Sequence, residues 1–225
     1  MAITQKTVEK SSFDQPKPII DESEKQIIEN KEKYTIRKNK KNELEAKLLK
    51  CPKGGKGKIG KINGDKYETI CKEIIELTFA NSFKEFQIIP QHKNLSSSKR
   101  RDFSLKNSPL DTHPNCVWNL LKSSYQAESI IFECKNIGSK IKKEHVTQLW
   151  YYLGSPIGKF GVILTRFKKL TKNAISALGR IEKDKYKIWV LDDTELLKIL
   201  DCYVKNDNVT DYFSRLFTYN NQDSE

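Results

Sequence analysis

Two apolar segments of strand length, separated by a segment of helix length, constrain the fold of this chain most strongly. Residues 159–165 read KFGVILT, residues 186–191 read YKIWVL, and residues 168–182 between them are a helix candidate. Continuous apolar strands are typical of sheets buried on both faces, and the alternation of strand, helix and strand favours parallel neighbours in one sheet. We therefore predict an α/β domain in which α-helices flank a central mixed β-sheet.

The segment before this unit adds strands and helices to the same domain. Residues 129–135, SIIFECK, form the clearest strand of the chain. Residues 67–79 and 146–153 have apolar side chains at helical spacing, which predicts two amphipathic helices. Less regular patterns predict two further strands and two further helices, at residues 86–90, at residues 101–105, at residues 193–203 and after residue 205.

These patterns divide the chain into a folded domain and a basic extension. Residues 62–219 contain most of the predicted strands and helices, and residues 1–61 are predicted to form a basic, partly helical N-terminal extension and linker. Residues 220–225 are predicted to be a frayed tail. Residues 31–61 carry twelve basic and three acidic side chains. Such a surplus serves either solubility or contact with phosphates, and the sequence leaves both open.

The overall charge indicates a class of partner. Lysine and arginine number 41 and aspartate and glutamate 29, which gives a formal net charge of +12. A chain this basic is expected to bind a polyanion, with nucleic acid ahead of an anionic membrane surface. No segment is long and apolar enough for a membrane span, and residues 1–10 lack the apolar stretch of a secretory signal. We expect no membrane partner and a cytoplasmic location.

The cysteines and histidines exclude several kinds of site. Five cysteines are scattered without CxxC spacing, which argues against a disulfide framework and a zinc site and favours reduced thiols. His113 and Cys116 have a ligand-like interval, but no second pair accompanies them. The three histidines offer neither an HExxH motif nor a partner for a serine or cysteine nucleophile.

The glycine-rich segment CPKGGKGKIG, residues 51–60, resembles a nucleotide-binding loop by letter. Gly55, Gly57 and Gly60 match GxGxxG, but a phosphate-binding loop follows a buried strand, and here a charged, helix-prone segment precedes it. Gly55, Gly60 and Lys61 also match most of a P-loop, but Ile62 occupies the position where that motif has a serine or threonine hydroxyl. The segment is therefore predicted to be a flexible basic linker.

The end of the SIIFECK strand carries the most distinctive chemistry. Side chains alternate between the two faces of a strand, so Glu133 and Lys135 share one face and Cys134 points to the other. Placing two charged groups at the end of so apolar a strand is costly unless they are paired, hydrated or bound to a metal. A simple ion pair that faces water is one interpretation of this pattern.

A second carboxylate supports a metal site as the other interpretation. Asp102 lies on a candidate strand that could form a hairpin with the strand that carries Glu133. Mg²⁺ prefers oxygen ligands and keeps several waters, so Asp102, Glu133 and the backbone carbonyl of Cys134 would be enough to hold it, with Mn²⁺ as a substitute. Lys135 could then orient a nucleophile or stabilise charge on a phosphate.

These residues resemble those of a known family. Asp102 followed by Glu133, Cys134 and Lys135 resembles the D and ExK motifs of the PD-(D/E)XK nuclease superfamily, which has the restriction-endonuclease-like fold. The flanking segments RRDF, IIFECKN, VTQLWYYL and GKFGVILTR are similar to its Mrr-like and restriction-type branch. The resemblance extends over about residues 64–191.

The resemblance implies roles for five residues. Asp102 and Glu133 would be metal ligands and Lys135 the catalytic lysine. Glu68, on the helix at residues 67–79, would bind or orient the metal through water, and Gln148 would contact the water or the scissile phosphate. For Glu68 and Gln148, an ordinary exposed polar residue on a helix is the alternative.

Further basic residues are candidates for contact with DNA. Lys99, Arg100 and Arg101 either grip phosphates or form a solvated turn. Arg166, directly after the strand GVILT, either binds phosphate or caps the strand end. Arg101 stands where the family name has proline, and the long stretch before Glu133 predicts an insertion at residues 106–126.

The function expected from the resemblance is a Mg²⁺-dependent endonuclease that cleaves DNA, in double-stranded form, and leaves a 5′-phosphate. No helicase, methyltransferase or target-reading segment is recognisable, which favours the effector of a restriction or antiphage system. Such an effector would act as a homo-oligomer or as a subunit of a regulated defence complex. The alternatives are a structure-selective nuclease for junctions or flaps and a non-catalytic DNA-binding subunit of a larger complex.

Overall fold

The helices and strands follow the predicted order along the chain. The computed structural model describes residues 22–90, 102–207 and 209–222. The helices are α1 (Glu22–Lys50), α2 (Gly57–Phe79), α3 (Val117–Tyr125), α4 (Lys143–Trp150), α5 (Lys172–Lys183), α6 (Asp193–Lys205) and α7 (Val209–Gln222), with a 3-10 turn at Ala80–Ser82. The strands are β1 (Ile88–Pro90), β2 (Phe103–Lys106), β3 (Ser129–Lys135), β4 (Phe160–Thr165) and β5 (Lys187–Asp192).

The five strands form one mixed sheet in the order β1-β2-β3-β4-β5. β2 is antiparallel to both of its neighbours, β1 and β3, and β3, β4 and β5 are parallel. The predicted α/β class with a mixed central sheet is therefore confirmed. Because β3 lies in the middle of the sheet, its carboxyl end is bordered by β2 on one side and β4 on the other.

Helices cover both faces of the sheet, as the continuous apolar strands predict. One face packs against α1, α2, α3, α6 and α7, where Trp118, Phe132 and Phe213 are almost fully buried. The other face packs against α4 and α5, where Ile131 and Val146 are buried. Within β3 the side chains alternate between these two clusters, so its odd-numbered residues face α4 and α5. Glu133 and Lys135 share this parity.

The segment between β2 and β3 contains a helix where an insertion was predicted. α3 buries Trp118, whose indole N–H donates to Thr210 Oγ1 at 3.0 Å. Asn107 Nδ2 donates to the carbonyls of Trp118 and Ala127, at 2.9 and 2.8 Å, and so holds the two ends of the segment together. The excursion leaves the antiparallel pairing of β2 with β3 intact.

The N-terminal extension is more structured than predicted. Leu44 and Leu48 of α1 are fully buried in the main core. α2 begins at Gly57, ten residues before the predicted helix, so a boundary between residues 61 and 62 falls inside α2. The predicted flexible linker is reduced to a short loop, residues 51–56, between α1 and α2. Residues 1–21 lie outside the described residues.

The chain ends in α7, whose Val209 and Phe213 pack into the main core. α7 extends to Gln222, into the segment 220–225 that was predicted to fray, and residues 223–225 lie outside the described residues. Among the helices of the described ranges, none combines the length and the apolarity needed to cross a membrane.

Candidate active site

The register between β2 and β3 brings Asp102 to the ExK segment. Phe103 pairs with Phe132, so the next position along the two strands joins Asp102 and Glu133. Asp102 Oδ2 accepts the backbone N–H of Cys134 at 2.6 Å. This bond extends the hydrogen bonding between the two strands beyond Phe103, the first residue of β2. The two predicted metal ligands therefore lie together at the end of adjacent strands.

Glu133 is the centre of a buried polar cluster. Its side chain is 2% exposed, and that of Lys135 is 15% exposed. Glu133 Oε1 accepts from Lys135 Nζ at 2.5 Å and from Gln148 Nε2 at 2.9 Å. Lys135 Nζ also donates to Gln148 Oε1 at 3.1 Å, which closes a triangle of three side chains. The Glu133–Lys135 pair is thus buried and does not form a strand-end ion pair facing water.

One oxygen of this cluster lacks a hydrogen-bond partner. Glu133 Oε2 is buried, and no residue in the described part of the chain donates to it. Burial raises the pKa of Glu133, while the Lys135 ammonium opposes that rise. A buried carboxylate oxygen without a donor is costly, and such groups in native proteins usually have a function or a bound ion or water. This oxygen is therefore available as a ligand.

Close packing of α4 on the sheet positions Gln148. Val146 and Leu149 are fully buried and orient the helix. Gly161 of β4 lies beneath Leu149 of α4. A Cβ atom on residue 161 would be only 3.1 Å from the terminal carbons of Leu149. Because glycine lets the helix approach, Gln148 reaches Glu133 and Lys135 on the neighbouring strand. Its predicted place beside the site is observed, and the exposed alternative does not hold.

Glu68 is brought near the same cluster from the opposite layer. Tyr67 and Cys71 are fully buried and set the rotation of α2. Glu68, beside them, is partly buried, and its negative charge adds to the burial effects that raise the pKa of both Glu133 and Cys134. Glu68 is thus a third carboxylate, after Asp102 and Glu133, whose negative charge affects the groups at the carboxyl end of β3.

The remaining predicted residues do not join this cluster. Arg166 is buried, with its Nε 3.0 Å from Asp193 Oδ2, and its Nη2 donates to the Leu48 carbonyl at 3.1 Å. Its guanidinium also lies over the Tyr67 ring, 5.2 Å from the centroid. The phosphate-binding role predicted for Arg166 is not borne out, because the guanidinium faces the interior and joins α1, α2 and α6.

Lys99, Arg100 and Arg101 lie outside the described residues, as does the first position of the strand predicted at residues 101–105. Their predicted contact with phosphates therefore stays a prediction.

The sequence analysis missed Asn136, which directly follows Lys135. It is 8% exposed, and its Nδ2 donates to the carbonyls of Pro52 and Asn63, each at 2.8 Å. These bonds attach the loop at residues 51–56 to the end of β3. The available signal was an amide directly after an apolar strand, where backbone groups leave the sheet and need new partners.

The donor set fits a hard divalent cation. Asp102 and the buried Glu133 Oε2 supply carboxylate oxygens. In a strand the N–H and C=O of one residue face the same neighbour, so the Cys134 carbonyl opens toward Asp102. In the described ranges, no three or more His, Cys, Asp or Glu side chains form a metal-binding group. Two carboxylates and a backbone carbonyl are oxygen ligands of the kind that Mg²⁺ and Mn²⁺ prefer, and Mg²⁺ is usually bound through one or two carboxylates while it keeps several waters.

Comparison with known proteins adds no family to this description. No protein-family model, no curated protein and no solved structure matches the chain. Inference about function therefore depends on the chemistry of Asp102, Glu133, Lys135 and the residues around them.

Proposed function

We propose that this protein is a metal-dependent endonuclease of the PD-(D/E)XK type that hydrolyses phosphodiester bonds of double-stranded DNA. The observation that carries the proposal is the buried cluster in which Asp102 lies beside Glu133, Glu133 contacts Lys135, and no described residue donates to Glu133 Oε2. The mixed five-stranded sheet is compatible with the restriction-endonuclease-like fold. The formal charge of +12 suits a polyanionic substrate.

In the proposed site, Asp102, Glu133 and the Cys134 carbonyl would hold Mg²⁺. When bound, the cation lowers the pKa of its water and offsets negative charge on the phosphate. Asp102 is held in place through the N–H of Cys134, and Glu133 through Lys135 and Gln148. The chain therefore supplies two carboxylates whose positions are set before substrate arrives, which reduces the cost of reorganisation.

Lys135 is the residue proposed to act on the reacting atoms. Its side chain is 15% exposed, and its ammonium is oriented by Glu133 and Gln148. It orients the attacking water and stabilises the negative charge that builds on the phosphate oxygens. The water oxygen bonds to phosphorus as the bond to the 3′ oxygen breaks, which leaves a 5′-phosphate and a 3′-hydroxyl. Glu68 and Gln148 are proposed to orient water and phosphate around this centre.

The test is cleavage of plasmid and linear DNA with Mg²⁺, and with EDTA in its place. We expect nicking or cutting by the wild-type protein with Mg²⁺ and none with EDTA, and loss of cleavage in Glu133→Ala and Lys135→Ala. Equal cleavage by the wild type and both variants would exclude this mechanism. A folded wild-type protein that binds DNA and never cuts it would instead indicate a non-catalytic DNA-binding subunit.

The biological role proposed is that of a restriction or antiphage effector. One site cuts one strand, so a double-strand break needs two subunits on the duplex or two successive nicks. Sedimentation of the protein with and without a DNA duplex tests for the oligomer. Comparison of linear, branched and single-stranded substrates distinguishes this role from a junction or flap nuclease, which would cut branched DNA preferentially.

A further inference from the structure

Three segments of the chain contain almost its entire surplus of positive charge. Residues 51–61, 136–143 and 166–172 contain eleven of the 41 lysines and arginines and none of the 29 aspartates and glutamates. The rest of the chain has 30 basic residues against 29 acidic ones, which is near balance. The lysine rim is the set of ten lysines in these segments; Arg166, the eleventh basic residue, is buried against Asp193 and is not part of it.

The first two segments of the rim are attached to each other. Asn136 Nδ2 donates to the Pro52 carbonyl at 2.8 Å. Gly54 lies against Gly138, where a Cβ atom on Gly54 would be 3.5 Å from the Gly138 nitrogen. The loop from the N-terminal extension thus lies on the chain that leaves β3.

The second and third segments of the rim are also attached to each other. Ile141 donates its N–H to the Lys169 carbonyl at 2.7 Å and accepts the N–H of Thr171 at 2.9 Å. Lys53 Nζ lies 5.9 Å from the centroid of the Phe167 ring, which joins the first segment to the third. Tertiary contacts therefore unite three basic segments that are far apart in the sequence.

The lysines of the rim are exposed and largely uncompensated. The side chains of all ten are exposed: Lys53, Lys56, Lys58, Lys61, Lys140, Lys142, Lys143, Lys168, Lys169 and Lys172. Within the described part of the chain, only one of them has a carboxylate within 4 Å, the 3.6 Å pair of Lys142 with Glu144. Several basic residues of α1 differ; for example, Lys41 pairs with Asp201 and Lys47 with Glu73, at 2.6 and 2.8 Å.

The rim borders the candidate active site. Its second segment begins at Asn136, directly after Lys135, and its third begins directly after Thr165. Thr165 Oγ1 donates to the Lys135 carbonyl at 3.3 Å, so the two strand ends from which these segments leave are adjacent. A polyanion held on the rim would thus lie next to the cluster of Glu133 and Lys135.

We propose that the lysine rim is the surface that holds the sugar-phosphate backbone of the nucleic acid substrate, and that the loop of the N-terminal extension is part of it. This inference rests on the proposed nuclease function and adds the substrate-binding surface. Exposed lysines act as mobile point charges, so they bind phosphates without reading bases. The rim therefore supplies affinity that is independent of base sequence and strongly dependent on salt.

Glycine keeps the loop of the rim in a defined shape. Gly54, Gly55 and Gly57 have positive φ angles of 60°, 127° and 55°. A Cβ atom on Gly60 would lie 2.5 Å from the Gly55 carbonyl oxygen, so the start of α2 folds closely against the loop. The glycines that resemble a nucleotide-binding motif thus serve a compact turn that presents Lys53, Lys56 and Lys58.

The test compares two variants that each remove three positive charges. The rim variant is Lys53→Gln, Lys56→Gln and Lys58→Gln, and the control variant is Lys183→Gln, Lys185→Gln and Lys205→Gln. The control lysines are exposed and precede β5 or end α6, away from the three segments. Binding of a labelled DNA duplex is measured by fluorescence anisotropy in EDTA over a range of salt concentrations, and circular dichroism checks that both variants are folded.

The slope of log affinity against log salt concentration is negative, and each phosphate contact contributes about 0.9 to its magnitude. We expect this magnitude to decrease by about 2 to 3 in the rim variant and by less than about 0.5 in the control. Substitution of Lys140, Lys168 and Lys169 by glutamine should give a similar loss and tests the other two segments. Equal changes in the rim and control variants would mean that net charge alone matters, and would overturn the proposal.

Two further outcomes separate this inference from its alternatives. If the rim variant loses binding to phosphatidylserine vesicles and keeps binding to DNA, the rim is a membrane surface and the proposal is wrong. Because binding is measured in EDTA, it does not depend on cleavage. Rim-dependent binding without any cleavage would refute the nuclease function alone, and cleavage with rim-independent binding would refute the rim alone.

Discussion

Asp102 Oδ2 accepts the backbone N–H of Cys134 at 2.6 Å, so the carboxylate on β2's amino side is tied to the central residue of the ExK segment on β3. This bond sets Asp102 beside Glu133 before any ligand binds. Several consequences of the arrangement can be measured.

Loss of one ligand should abolish metal binding without disturbing the fold. In Asp102→Asn an amide oxygen can still accept from Cys134, but the negative charge is removed. A cation present at about 100 times its dissociation constant adds about 2.7 kcal/mol to the free energy of unfolding. We expect Mg²⁺ or Mn²⁺ to raise the melting temperature of the wild type and not that of Asp102→Asn. An equal rise in both proteins would place the cation elsewhere.

If Lys135 has the proposed catalytic role, removal of its ammonium should slow cleavage while DNA binding persists. Lys135→Ala is expected to reduce the cleavage rate by about 10² to 10³, the usual cost of removing one preorganised group that stabilises transition-state charge. Lys122→Ala is the control, since Lys122 also pairs with a glutamate, Glu128 at 2.8 Å, but on the surface. Single-turnover cleavage of a DNA duplex measures both. Similar rates for the two variants would contradict the role of Lys135.

Gln148 is expected to act by positioning Lys135 and Glu133. Gln148→Ala removes one bond to each of them, and we expect cleavage to slow by about 10- to 100-fold, as for other residues that orient metal ligands. Thr147→Ala, the neighbouring change on α4, should leave the rate nearly unchanged because the Thr147 hydroxyl donates within its own helix, to the Lys143 carbonyl. A full rate in Gln148→Ala would show that the triangle of side chains is dispensable.

Asn136 should contribute more to stability than a less buried asparagine that donates the same number of bonds. Asn136→Ala leaves the carbonyls of Pro52 and Asn63 without their donor in a buried place, so we expect a loss of about 1 to 3 kcal/mol in the free energy of unfolding. Asn119 also donates two bonds to carbonyls, but at the surface. Urea unfolding of Asn136→Ala and Asn119→Ala compares the two, and equal losses would contradict the anchoring role.

The buried pair of Arg166 and Asp193 predicts a dependence of stability on pH. Burial raises the pKa of Asp193 from 3.8 to about 6, against the opposing effect of Arg166. Between these values the folded protein holds a proton that the unfolded chain has released, so this group lowers the free energy of unfolding as pH rises from about 4 to about 6. The Asp193 contribution to that fall is on the order of 2 to 3 kcal/mol.

Asp193→Asn tests this contribution. Urea unfolding at pH 4.5 and at pH 7 should give a smaller decrease for the variant than for the wild type, because asparagine does not titrate. Asp184→Asn, an exposed change at the end of α5, should keep the wild-type difference. If Asp193→Asn also keeps it, Asp193 is not the group responsible.

The sequence by itself determined much of the site on β3. The two-residue period of a strand puts Glu133 and Lys135 on one face, and the apolar period of α4 leaves Gln148 beside its buried stripe, since both periods are properties of the local backbone. Continuous apolar runs located β4 and β5, and apolar residues at helical spacing located residues 67–79 of α2. The start of α2 was missed because residues 57–66 contain glycines and lysines in place of a regular apolar stripe.

The tertiary structure alone decided which distant residues meet. The pairing of Phe103 with Phe132 places Asp102 beside Glu133, and a register shift of one residue would have turned Asp102 to the other face. From the sequence, Arg166 was expected to bind phosphate or cap a strand end. In the fold its side chain is buried, because Asp193 and the Leu48 carbonyl approach it from other helices. Such partners are determined by packing between segments far apart in the chain. The periodicity of apolar residues within one segment contains no information about these contacts.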